Sequence, residues 1–180
     1  PIFGIVILSF ISLLINFVLP LSKLIGSIIL LLGLINMIIF AKNNLNILKK
    51  FINIVILSTA ISVLLLAYSN IYRPDAGLYH LPYISILNDN KIIFGLSNIH
   101  FRFGTTSIIQ YLSAIQNNYI LNLSSISIPI ASTFSFAIIF FIRKVFYKIK
   151  KKDFFLSVFY FFTSISCLLG YGSFGNYGNY

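Results

Sequence analysis

Residues 24–68 read LIGSIILLLGLINMIIFA, then KNNLNILKK, then FINIVILSTAISVLLLAY. Two apolar runs of 18 residues flank nine residues that hold three lysines. Each run approaches the about 20 residues that a helix needs to cross about 30 Å of hydrocarbon. A helix of that length in water would show a polar face, and neither run has one. The segment reads as two membrane-spanning helices joined by a basic loop. The fold class follows as all-α, a polytopic transmembrane helix bundle.

Working outward, residues 2–21, 121–142 and 154–171 form three further apolar runs, so about five spans are expected. The whole chain agrees. Hydrophobic residues make up 58%, charged residues only 9%, and mean hydropathy is +0.96. A soluble domain carries about 25% charged residues. Domain organisation follows as three spans in 1–69, an outer loop with two short interfacial helices in 70–118, and two spans with a tail in 119–180. The chain opens on Pro1 and ends in YGSFGNYGNY. It reads as the N-terminal part of a longer protein.

The net charge of +10 invites a nucleic-acid reading, but position argues against that partner. Nine of the thirteen basic residues sit in two stretches: Lys42, Lys49 and Lys50, then Arg143, Lys144, Lys148, Lys150, Lys151 and Lys152. That is the positive-inside pattern of an inner (plasma) membrane protein. It places 42–50 and 143–153 in the cytoplasm and 70–118 outside. The single Cys167 lies in an apolar run and allows no disulfide or paired-thiolate metal site within the chain.

The outer stretch is where chemistry could reside. It holds Asp75 and Asp89 of the chain's three acids, both His80 and His100, and Arg73 and Arg102 of its three arginines. Asp75 could cap a helix over 76–87, with Pro82 expected to kink it. Leu78, Leu81, Ile84 and Ile86 or Leu87 would form an apolar side on the bilayer surface. Asn88, Asp89 and Asn90 suggest a turn. Ile108, Ile109, Leu112 and Ile115 recur at helical spacing, with Thr105 or Thr106 as N-cap and Gln110, Gln116, Asn117 and Asn118 on the polar side.

Asp75 is the sharpest candidate. A carboxylate about seven residues beyond a span sits near the headgroups, within reach of lipid-linked phosphates, and could act as a general base. Tyr79, four residues on, comes closest to facing it on a helix. His80 could bind phosphate or carry a proton. Asn98, His100 and Arg102 alternate, which puts them on one face of an extended segment. Such a cluster suits phosphate, because a guanidinium forks onto its oxygens. Gly95 and Gly104 bracket it. No cofactor is indicated. Asp75, His80 and His100 match no standard metal spacing, so a divalent cation is left open.

The motifs DAGLYH (75–80) and FGLSNIHFRFG (94–104) resemble a family of bacterial multi-pass membrane proteins with the signature D-x-G-L-Y-H followed by G-L-x-N-x-H-x-R. That family is similar to the GT-C class of membrane glycosyltransferases, which draw sugars from polyprenyl-phosphate carriers. The resemblance implies inverting sugar transfer in cell-envelope polysaccharide or glycolipid assembly. Asp75 would be the catalytic base. Arg73, Tyr79, His80, Asn98, His100 and Arg102 would bind substrate. The partners would be the lipid bilayer, a polyprenyl-phosphate-linked sugar donor and a glycan or lipid acceptor. This piece alone would be inactive. A transporter or polymer-export subunit, or a non-catalytic membrane scaffold, are the other readings.

Overall fold

The helix that opens the chain, α1 (Ile2–Val18), buries Ser9, Ser12 and Asn16 and turns its large apolar residues outward. A soluble helix does the reverse. The two serine hydroxyls donate to the carbonyls of Ile5 and Leu8, each at 2.8 Å. Satisfied on their own helix, they leave a small surface that another helix can approach closely, as in membrane bundles. This computed structural model describes residues 2–68, 76–104, 107–121 and 123–174. Among them the fold is all-α, with no strand.

Six more helices follow: α2 (Lys23–Asn43), α3 (Leu45–Tyr68), α4 (Leu81–Asp89), α5 (Ile108–Gln116), α6 (Ile128–Lys150) and α7 (Phe154–Phe174). The whole of α2, residues 125–150 and residues 154–171 are each long and apolar enough to cross a membrane. Residues 2–18 and 51–67 are also apolar but shorter. In α2 only Gly26 is buried, and leucines and isoleucines project on all sides. Such a surface is tolerable against lipid and not against water.

The long helices pack antiparallel around small polar residues. Ser58 and Ser62 of α3 both lie 2.9 Å from the Ser135 hydroxyl of α6. Near one end of this pair Leu65 meets Ala131 in a cluster that Tyr171 completes. Helix α7 returns along α6, with Phe134 against Tyr171 and Phe141 against Tyr160. The turn between them is tight. Lys152 takes φ 58°, and the amides of Lys152 and Asp153 donate to Ile149 and Lys148. These are the two bonds of a Schellman cap. Asp153 then accepts from the Leu156 amide and starts α7.

Several boundaries differ from the hydropathy reading. The first helix stops at Val18 rather than 21, and Leu21 becomes a fully buried plug. The basic segment 42–50 is not a loop: only Asn44 interrupts the helices, because short polar gaps can be wound into the helix on either side. Likewise Arg143 to Lys150 are helical, and the loop shrinks to 151–153. In the fourth apolar run the α-helix begins at Ile128, not 121. Pro129 has no amide to donate and sits in the opening turn of α6, after a 3-10 turn over Leu123–Ser127.

Between α3 and α6 the chain builds a compact cap rather than two helices lying on a surface. All six residues from Gln110 to Ile115 of α5 are buried. In α4, Ile84 and Leu87 enter the core with Leu112, whereas Leu78 and Leu81 are exposed. The apolar side expected of 76–87 is therefore split. The expected turn at Asn88 and Asp89 is the last turn of α4. Asn88 is instead a buried junction: its Nδ2 donates to the carbonyls of Leu21 (2.7 Å) and Ala114 (2.9 Å), and its Oδ1 accepts from Asn117 (2.7 Å).

Gly26 marks the closest approach of α2 to this cap. A Cβ there would run into the Ile115 carbonyl and crowd Asn117 and Asn118. A backbone carbonyl cannot swing aside as a side chain can. Gly26→Val should therefore destabilise the fold by about 1–3 kcal/mol, read as a lower unfolding midpoint in detergent. Gly33→Val, with open space around it, should change little.

Candidate functional site

Two local devices position the site. The first is a π-type turn over Ala76–His80 that runs directly into α4. Pro82 falls in the first helical turn, where its missing amide costs nothing, so the proline starts a helix instead of kinking one. The second is the N-terminus of α5. Its cap is Ser107, not Thr105 or Thr106, which lie outside the described residues. Ser107 accepts from the Ile109 amide, and Gln110 Oε1 accepts from the Ser107 amide at 3.1 Å, closing a capping box.

That box fixes the Gln110 amide. Its oxygen is held by an N–H that can only donate, so its Nε2 must be the donor toward His80 Nδ1, 3.1 Å away. Nδ1 is then the acceptor, and the neutral His80 ring carries its proton on Nε2. Both residues are buried, at 8% and 6% exposure. A histidine with an assigned tautomer on a rigid cap can hand over or hold a proton at a defined atom. Gln110→Glu should break this assignment, because the carboxylate still caps α5 but gives Nδ1 no donor. Histidine 15N shifts should report His80 as the Nε2–H form in the wild type and as the Nδ1–H or doubly protonated form in the variant. Unchanged shifts would refute the tautomer assignment.

Around this pair stand rings and a cation. Tyr79 packs on His80 with centroids 4.2 Å apart. The Arg102 Nη1 donates to Tyr79 Oη at 3.1 Å, and its guanidinium carbon lies 4.7 Å from the Tyr79 ring centroid. His100 lies near Tyr79 (6.4 Å) and Phe103 (5.4 Å). Below it, Tyr83 and Tyr111 share a hydroxyl contact of 3.1 Å. Burial first, then the Tyr83 hydrogen bond and charge, push the Tyr111 phenol above its ordinary range, so it stays protonated.

The structure thus brings together Tyr79, His80, His100 and Arg102 from two motifs about twenty residues apart. The route differs from an extended segment. Residues Leu96–Asn98 and Phe101–Gly104 form 3-10 turns, entered through Gly95 at φ 84°, a value that suits glycine alone. Arg102 reaches His100 through its own amide, which donates to Nδ1 at 3.3 Å. Asn98 is exposed in the first turn, with its side-chain amide beside Gly95. Arg73 and Asp75 lie outside the described residues. Among the described residues, no three His, Cys, Asp or Glu side chains come together as a metal site.

Gln110 is the member that reading the chain for exposed polar faces missed. Its signal was present as Ser107-Ile108-Ile109-Gln110, the S-x-x-Q spacing of a capping box. That spacing turns the glutamine toward the helix start and away from solvent.

Neither the characterised proteins nor the solved structures contain a significant match to this chain. The profile of the family described as a domain of unknown function (DUF8201) matches residues 1–172, and the chain belongs to that family.

Proposed function

We infer that the chain is part of an integral membrane glycosyltransferase of cell-envelope assembly, moving a sugar from a lipid-phosphate donor to a glycan or lipid acceptor. The observation that carries this reading is the buried His80–Gln110 pair beside Arg102. Together they set a cation and a proton-bearing ring on a rigid cap at one end of the bundle. Ala76, the first residue of that cap's π-type turn, directly follows Asp75 in the chain.

In this reading the cap faces outward. Both basic stretches gather at the opposite end, because α3 runs antiparallel to α6, and basic ends favour the cytoplasm. Five helices span the bilayer, with α1 and α3 completing the set. Asp75 takes the proton of the acceptor hydroxyl as the sugar carbon is attacked from the face opposite the phosphate. Arg102 steadies the charge that develops on the departing lipid phosphate, and such preorganised contacts are commonly worth about 10²–10³ in rate. His80, packed on Tyr79, steadies the phenol that holds Arg102 in place.

The test is transfer of labelled sugar from a polyprenyl-phosphate donor by membranes containing the full-length protein. Formation of a lipid- or glycan-linked product that depends on Asp75 and Arg102 supports the reading. Donor left intact by protein that binds it normally would reduce the site to a lipid-phosphate receptor and reject the enzyme.

A further inference from the structure

At the end of the bundle away from His80, helices α1, α3 and α6 part to leave a groove of about 930 Å³. Its walls are apolar, with Phe3, Phe51, Val55 and Phe140 among them. At its mouth stand Arg143, Lys144 and Tyr147. Lys144 Nζ lies 5.4 Å from the centre of the Phe140 ring, so the cation stands at the edge of the apolar wall rather than out in solvent.

The charge at this mouth is unbalanced. Lys148, Lys150, Lys151 and Lys152 follow on the same helix end and turn, and the one acid nearby in sequence, Asp153, is engaged by Lys148 at 2.9 Å. An apolar cleft inside a bilayer is filled by acyl chains whatever the headgroup. The cations decide which headgroup is favoured. A guanidinium can fork onto phosphate oxygens, and an ammonium adds a point charge beside it. Basic residues between membrane helices favour anionic lipids of the cytoplasmic leaflet in this way.

The geometry points to a binding site for an anionic phospholipid in this groove. One acyl chain lies along Phe51, Val55 and Phe140, and the phosphate rests against Arg143 and Lys144, beside Tyr147, whose ring centre lies 4.8 Å from Lys151 Nζ. The site is separate from the His80 cluster and stands whether or not that cluster transfers sugar.

The experiment uses the protein in nanodiscs of phosphatidylcholine doped with phosphatidylglycerol, either lipid carrying a photoactivatable acyl chain. Phosphatidylglycerol should label residues 51–55 and 136–140, at roughly tenfold or more above phosphatidylcholine. The double variant R143Q/K144Q should lose that preference, whereas K150Q/K152Q, outside the groove, should keep most of it. Excess glycerol phosphate should not displace the label. Equal labelling by the two lipids would overturn the proposal, as would occupation of the groove by a second copy or a further helix, seen as no label there at all. Displacement by glycerol phosphate would reduce the site to a bare phosphate patch and overturn it too. The wild-type map does not depend on either variant folding.

Discussion

Under the proposed function, Asp75→Asn in the full-length protein is expected to cut sugar transfer by about 10²- to 10⁴-fold, the range for loss of a positioned general base. Asparagine is chosen because it separates two roles. It caps a helix as well as aspartate does, so the turn and helix that follow Asp75 should keep their stability. It cannot accept the acceptor's proton. Donor affinity should change little, because the base acts on the other substrate. The expected pattern is a fall in kcat with nearly constant donor KM and an unchanged unfolding midpoint. Transfer by the asparagine variant at more than about a tenth of the wild-type rate would remove Asp75 from the base role.

Asn88→Leu should have the largest effect on stability. Leucine fits the volume but has no polar atom. The carbonyls of Leu21 and Ala114 and the Asn117 amide would all lose a buried partner. Each such loss costs about 1–3 kcal/mol, so roughly 3–9 kcal/mol is expected in total. That is a large share of the 5–15 kcal/mol that holds a typical domain together. The junction joins the α1–α2 connection, α4 and α5, so its failure should free the whole cap. Protease cleavage between α3 and α6 should appear well below the temperature at which the long helices unfold. A variant with wild-type protection would show that those carbonyls find other donors. Asn88→Asp is no rescue, since it would place a carboxylate against two carbonyl oxygens.

The order of these effects says how far each part of the protein could be read from its chain. The long helices were legible because their information is local. Eighteen consecutive apolar residues state a span on their own, and basic residues at their ends state which ends lie together. Antiparallel packing of α3 on α6 then brought the two basic stretches to one end, as the charge pattern implies. The errors were at edges. Residues 42–50 and 143–150 look like loops because lysine and asparagine are polar, yet helix continues through them where nothing breaks it. Pro129 moved the α-helix of the fourth apolar run seven residues along for the opposite reason.

The candidate site was half legible. His80, His100 and Arg102 were distinctive because acids, histidines and arginines are scarce in this chain, and Tyr79 by its spacing of four from Asp75. Their grouping was anticipated, but its geometry was not. Alternation in sequence suggests a strand face, and the 3-10 turns on either side of His100 replaced it.

Composition and charge by themselves determined an all-α bundle with nine of its thirteen basic residues gathered at one end, since hydropathy and charge act residue by residue against a uniform solvent. Only the tertiary structure decided which polar side chains are interior. Gln110 and His80 are 30 residues apart, Asn117 and Asn88 are 29 apart, and Ser135 and Ser58 are 77 apart. A buried amide or hydroxyl is stable only when its partner arrives from elsewhere in the chain, and no local pattern states where that partner is.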